Sequence, residues 1–337
     1  MVPTIRDVAQ RAEVSISTVS RVLNNSAAVD VGKRRRVEAA ADELGYRPNL
    51  AARSLLGQKS GGIGVLLPYI AGDFFQTFLQ GIDRTTSDTG YFLNVSSSHR
   101  NIQEFQAVIQ GMNHWVDGLI VMSTQIPAER VRAWLPESLP VVFVNTQAET
   151  AENEVINFDN RSGMRAVTEH LIHLGHRQIG FLTGPDGAYD GLERRDGYRA
   201  ALQDHGIEPR PGLEFTGDYT METGEAVVPA VLAASPRPTA MVAANDISAY
   251  GLIRGLSAAG LSVPDDLSVA GFDDILLAQF SAPALTTVRA PLVEMGQRAI
   301  ERLLARIEGE PWSETEPVVL PTQLIARDST APLSDPR

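Results

Sequence analysis

The sequence predicts an all-α head joined to an α/β body built on two parallel sheets. Three observations predict it. Residues up to about 48 carry three apolar stripes of helical period. From Gly62 onward, short β-branched runs alternate with helical stretches, the pattern of parallel sheets covered on both faces. That alternation lasts for about 270 residues, too many for one sheet, so two similar halves are expected.

The head comes first. Ile5, Val8, Ala9 and Ala12 fall at i, i+3, i+4 and i+7, one face of a first helix. Ser15 is a good N-cap for a second helix, whose inward stripe is Val19, Val22 and Leu23. A third helix from about Gly32 to Leu44 turns Val37, Ala40, Ala41 and Leu44 inward. Three short helices with tight turns match a helix-turn-helix module, whose second helix lies in the DNA major groove. The run KRRR at 33–36 opens the third helix and suits nonspecific phosphate contact or plain solvation.

A connecting stretch follows, RPNLAARSLLGQKSGG. Pro48 restricts how the third helix ends, and Gly57 can stop a short helix from about Asn49 to Leu56. Eight residues are too few for a helix that stands alone in water, so this hinge helix needs a partner. The body then reads as eight strands: IGVLLP, YFLNVSS, GLIVMS, VVFVN, EVINFD, QIGFLTG, AMVAAN and LSVAGFD. Ligands of such sheets bind at the carboxyl ends of the strands, so between two halves the binding place is a cleft.

Composition narrows the partners. The net charge is −12, but residues 1–59 hold ten Lys/Arg against six Asp/Glu, a balance of +4, and the rest carries −16. A basic head on an acidic body is the asymmetry of a chain in which one module meets a polyanion. There is no cysteine, which excludes disulfides, thiolate metal sites and cysteine nucleophiles. The first residues lack the apolar core of a signal peptide, and no run approaches the roughly 20 apolar residues that span a bilayer. A cytoplasmic protein is expected.

The stretches TIRDVAQRAEVSISTVSRVLNN and VEAAADELGYRPNLAARSLLG resemble the head of a bacterial lactose-repressor/galactose-repressor (LacI/GalR) family regulator. The pattern DVAxxAxVSxxTVSRVLN fixes residues over nearly twenty positions, and the likeness runs on to about Thr330. Glu13 departs from the commonest version, which has Gly there; a left-handed turn at a non-glycine costs roughly 1–2 kcal/mol. The resemblance implies a periplasmic-binding-protein-like body. Its domains would be a helix-turn-helix at 1–48, a hinge at 49–59, an effector and dimerisation domain at 60–330 and a tail at 331–337. The first subdomain would take about 60–159 and 290–319, the second 160–287 and 320–330, with three crossover strands between them.

Roles follow from the same resemblance. Ser15 would cap the recognition helix and bring its N–H groups to a phosphate. Ile16 and Ser17 would face base edges, Thr18 would touch phosphate, and Arg21 would read guanine with its fork; Asn24 completes the DNA-contacting set. Ile16 also stands three before Val19, the spacing of a core position. In the family, paired hinge helices enter the minor groove and a leucine from each kinks the duplex. Leu55 holds that place in ARSLLG, and the alternative is a linker leucine packed on its own body. Effector positions map onto Phe74, Asp159, Arg194, Tyr219, Asn245 and Asp273. A carboxylate and a guanidinium can each bind neighbouring hydroxyls, and an aromatic ring can cover the apolar face of a sugar. For Asp273 and Asp274 the plainer reading is a turn carboxylate pair.

Other chemistries are weaker. His170, His173 and His176 stand three apart, but Gly175 ends the helix before the last, so no metal is expected. KSGGIGV precedes a strand, whereas a phosphate loop follows one, and GxSxG is absent. Neither cofactor nor catalytic residue is expected. A free sugar-binding protein of the periplasmic type shares the body but would lack residues 1–57 of this kind. An architectural protein without ligand does not explain the polar loop residues at the cleft. The expectation is a repressor, not an enzyme, that binds a near-palindromic operator as a homodimer, with operator affinity set by a small effector. A sugar is favoured over a purine or another metabolite. The tail STAPLSDPR has no heptad repeat, so no tetramerising coiled coil is expected.

Overall fold

In the head, α1 (Ile5–Arg11), α2 (Ile16–Leu23) and α3 (Val31–Leu44) enclose a small core of Val8, Ala9, Ala12, Val19, Val22, Val37, Ala40 and Ala41. These are the residues the helical period turned inward, with Ile5, Leu23 and Leu44 packed at its margin. The computed structural model describes residues 3–23, 29–46, 59–70, 72–99, 101–148, 154–311 and 318–333. The expected hinge helix, Leu55 and Asn24 lie outside the described residues.

Each head helix starts and stops for a local reason. Thr4 and Asp7 form a capping box at α1, the Thr4 N–H donating to Asp7 Oδ2 at 2.7 Å. The turn to α2 passes through Glu13 at φ +53°, the left-handed position that usually favours glycine. Ser15 Oγ then accepts the Thr18 N–H at 3.2 Å, the capping role its position suggested. Asp30 caps α3 through the Lys33 N–H, and Gly45 ends it in the left-handed region at φ +62°. Residues 1–60 form one compact unit and 61–337 another.

The body alternates strands and helices. Its first part runs β1 (Gly62–Leu67), α4 (Asp73–Thr86), β2 (Phe92–Ser97), α5 (Ile102–Met112), β3 (Gly118–Met122), α6 (Ala128–Arg132), β4 (Val141–Val144) and β5 (Val155–Phe158). Next come α7 (Asn160–His173), β6 (Ile179–Leu182), α8 (Tyr189–Asp204), β7 (Glu214–Phe215), α9 (Met221–Ala226), α10 (Val228–Ala233) and β8 (Ala240–Ala243). The chain closes with α11 (Asp246–Ala258), β9 (Ser268–Ala270), α12 (Leu276–Phe280), β10 (Thr287–Arg289), α13 (Leu292–Ile307), β11 (Val318–Leu320) and β12 (Gln323–Ile325). All eight expected strands are present. The four missed ones, β7 and β10 to β12, are two or three residues long, too short to show a period.

Two parallel sheets result. The first has the order β11-β5-β4-β3-β1-β2, the second β7-β6-β8-β9. Strands β1, β3, β4 and β5 are buried along their length, which is why they read as unbroken apolar runs. The chain passes between the sheets three times: from β5 into α7, from β10 into α13 and from β11 into β12. At these passages β10 pairs antiparallel with β12, Thr287 opposite Ile325. Helix α13 packs on α4 and the first sheet, while α7 packs on α8 beside the second. The carboxyl ends of both sheets face a shared cleft.

Candidate nucleic-acid interface and ligand cleft

On the head, the sequence-predicted contact residues gather on the start of α2. Ser15, Ile16, Ser17 and Arg21 are exposed and Thr18 is half-buried. Ile16 is 45 % exposed, so the core role its spacing allowed is not the one it plays. An apolar side chain held open beside hydroxyls suits a thymine methyl, and the Arg21 fork suits guanine. The Ser15 hydroxyl also bonds Ser17 Oγ at 2.8 Å and Thr18 Oγ1 at 2.9 Å, which orders the first turn before any DNA arrives.

In the body the cleft is lined by Tyr69, Phe74, Asn145, Asp190, Arg194, Tyr219, Asn245 and Asp273, among others. Arg194, only 2 % exposed, is its buried centre. Its Nε donates to Asn160 Oδ1 at 2.8 Å, one Nη to the Ala244 carbonyl, and the other to Asp273 Oδ1 at 3.3 Å. The Phe272 ring covers the guanidinium at 3.9 Å.

The rest of the wall is as constrained. Asn245 caps α11 through the Ser248 N–H at 3.0 Å and donates to the Tyr219 carbonyl at 3.2 Å. The Tyr219 hydroxyl is buried, and burial, with the Asp190 carboxylate beside it, pushes it well above the usual phenol range. Its ring fits only because residue 184 is glycine: a Cβ there would meet Tyr219 Cζ at 2.3 Å. Asn145, Tyr219 and Asp273 all have positive φ, at +48°, +71° and +120°. Backbone held in such regions concentrates at functional sites, where the surroundings over-determine it.

Burial drives the electrostatics. It works against the Arg194 charge, but Asp273, Tyr219, Asp190 and Asp246 together hold that charge firmly. Burial also pushes the Asp273 carboxyl up to about 7, against the pull of Arg194 and with help from Asp190. Asp246 is pushed well above the usual carboxylate range by burial and then by Asp273. A carboxyl raised on folding stabilises the fold below its unfolded value, and that contribution is lost as pH rises through the folded value. Wild-type stability should therefore fall between about pH 4 and 7 relative to Asp273→Asn. Chemical denaturation across that range checks it; parallel curves for the two proteins would refute it.

A family model described as bacterial regulatory proteins of the lacI family matches residues 4–49. A second, described as a periplasmic binding protein-like domain, matches residues 168–330. The HTH-type transcriptional regulator GalR of Escherichia coli (strain K12) is 34% identical over 97% of this chain and 96% of its own. The chain belongs to the LacI/GalR family. Two solved structures agree with it in fold. One is the Lac repressor dimer bound to operator and the anti-inducer ONPF: TM-score 0.84, 31% identity, 98% of this chain and 100% of that one. The other is the CelR–cellobiose complex: TM-score 0.72, 31% identity, 97% and 99%. The chain is thus a transcriptional regulator and not an enzyme.

Of the six residues that the LacI/GalR pattern assigns to effector, five line the cleft: Phe74, Arg194, Tyr219, Asn245 and Asp273. Asp159 does not. It caps α7, accepting the Ser162 N–H at 2.9 Å, and the next residue, Asn160, is the one that reaches Arg194. Arg194 is also less free than a hydroxyl-binding guanidinium, since each of its three nitrogens bonds protein. Asp274 is structural, bridging Arg289 at 2.7 Å and Arg327 from a buried position. Sequence reasoning missed Asn145 and Asp190. Each carried a signal: Asn145 follows the apolar run VVFV at a strand's carboxyl end, and Asp190 is an acid in a first helical turn. The spaced histidines go to separate partners, His170 to Thr330 and His176 to Thr239 and Ala331. Among the described residues no helix is long and apolar enough to cross a membrane.

Proposed function

We propose that this regulator is a cytoplasmic homodimeric repressor that reads a near-palindromic operator through α2, its affinity set by a sugar-like effector in the body cleft. The observation that carries the reading is the wall formed by Asp190, Tyr219, Asn245 and Asp273 around the buried Arg194. Acceptors fixed by buried bonds, beside the aromatic Phe74 and Tyr69, suit a polyhydroxylated ring. The dimer follows from the DNA: one head covers too few base pairs for high specificity, and two-fold symmetry doubles the contacts. The cellobiose complex and the operator-bound dimer among its relatives support the same reading.

Operator titration with and without a panel of sugars tests it. A cognate effector should shift operator affinity by roughly 5- to 150-fold, the range of a 1–3 kcal/mol coupling. Tyr219→Phe should blunt that shift at the same sugar concentration. A variant that responds as wild type would place the ligand elsewhere. Separately, Arg21→Ala should cost about 1–3 kcal/mol on the operator and leave random-sequence DNA binding almost unchanged. Equal losses on both DNAs would make Arg21 a phosphate contact.

A further inference from the structure

The neighbours Asp273 and Asp274 face two ways. Asp273 lines the cleft, where its carboxyl meets Arg194. Asp274 does not line it. Its carboxylate, 1 % exposed, accepts Arg289 Nε at 2.7 Å with one oxygen and an Nη of Arg327 with the other. These arginines stand on two of the three passages between the halves. Arg289 ends β10, which leads into α13, and Arg327 follows β12. The second Nη of Arg327 donates to the Leu285 carbonyl at 2.8 Å, so this arginine also grips the approach to β10. Backbone joins the same parts: the Asp273 N–H donates to the Val288 carbonyl at 2.8 Å, and the Asp273 carbonyl accepts the Ala290 N–H at 3.3 Å.

Both aspartates are held at positive φ, +120° and +56°. Two such residues in succession make a costly turn, which persists only where its surroundings over-determine it. At Asp274 the surroundings are two charge-assisted bonds. We infer that Asp274 is the positioning residue of the ligand response: it touches no effector, but fixes the turn that ties Asp273 to β10 and to the segment after β12. A change at Asp273 is then imposed on two passages at once. This rests on the cleft being the effector site. Coupling between two sites needs an element whose arrangement both of them bias. The setting of one half against the other is that element. The three-residue pairing of β10 with β12 already joins the passages to each other. What Asp274 adds is a tie from both of them to the cleft wall.

The chain has no cysteine, so introduced thiols can be labelled specifically. Gln110→Cys on α5 and Gln203→Cys on α8, both exposed, place one spin label on each half. Labelled chains are diluted with unlabelled ones, so that each distance is read within one chain. Without any ligand, Asp274→Asn and Arg289→Met should each shift or broaden the distance distribution, with melting curves confirming a folded body. Asparagine tolerates the positive φ at 274, and Arg289→Met is the milder variant because that side chain is half-exposed. An unchanged distribution in Asp274→Asn, or in Arg289→Met should the first not fold, would overturn the inference. A second readout uses glucose, ribose and cellobiose as probes, in calorimetry and operator titration. A sugar that binds Asp274→Asn within about twofold of wild type, yet loses its roughly 5- to 150-fold shift of operator affinity, supports the inference. A shift of wild-type size overturns it. Sugar binding indifferent to Asp273→Asn would remove the cleft as effector site, while the distances would still decide whether Asp274 sets the two halves. If none of the three sugars binds, the distances alone decide.

Discussion

Replacing Arg194 with methionine should destabilise the body by about 3–5 kcal/mol, the usual loss when one partner of a buried ion pair is removed. The side chain is 2 % exposed, and its loss strands Asn160 Oδ1, the Ala244 carbonyl and Asp273 at once. The double variant Arg194→Met, Asp273→Asn should be more stable than the sum of the single losses, because the second change removes the buried carboxyl left without its cation. A coupling of at least about 1 kcal/mol in a denaturation double-mutant cycle is expected. Additive losses would mean that Arg194 holds the fold through its neutral bonds and ring contact alone. Asparagine is the right replacement at 273, since it tolerates positive φ better than most residues.

Gly197→Leu should be harsher still, leaving little folded protein. Helices α7 and α8 cross there with backbones in contact: a Cβ at 197 would stand 2.2 Å from the Arg161 carbonyl oxygen. The same device joins α4 to α13, where a Cβ at Gly81 would meet the Val293 carbonyl at 2.2 Å. No rotamer relieves a clash with backbone, so the helices must separate, and overpacking of this kind exceeds the usual 1–3 kcal/mol. Gly111→Ala, in α5, is the control. Nothing lies within 4 Å of its would-be Cβ, so the change should be neutral or stabilise by up to about 1 kcal/mol through helix propensity. Comparable melting temperatures for Gly197→Leu and wild type would refute the close crossing.

Much of this was legible in the chain. The head core follows from period alone, since Val8, Val19, Val22, Val37, Ala40 and Ala41 are all buried where their spacing put them. The long strands announced themselves as apolar runs because both faces are covered. What stayed hidden has physical causes. Strands β10 and β12 are held by the chain passages between sheets, a tertiary circumstance with no local signature. The positive φ of Asn145, Tyr219 and Asp273 is imposed by surroundings rather than favoured by residue type. Asp159 and Asn160 are neighbours with similar side chains. Only the register of β5 into α7 decides which one caps the helix and which one holds Arg194.

The order of strands in the first sheet also bears on how the protein is made. Five of its six strands lie before residue 159, yet the sixth, β11, pairs with β5 from Val318–Leu320. Helix α13, which packs on β3, β4 and β5, is also late, at Leu292–Ile307. A ribosome that has delivered the first five strands therefore holds a sheet with an open edge beside β5 and a bare apolar face. At about 5–20 residues per second, the remaining stretch takes on the order of 10 s or more to arrive. Unpaired edges and uncovered faces are where nascent chains associate wrongly. The second half must be synthesised, and can fold, inside that interval, so the half that is translated first is completed last.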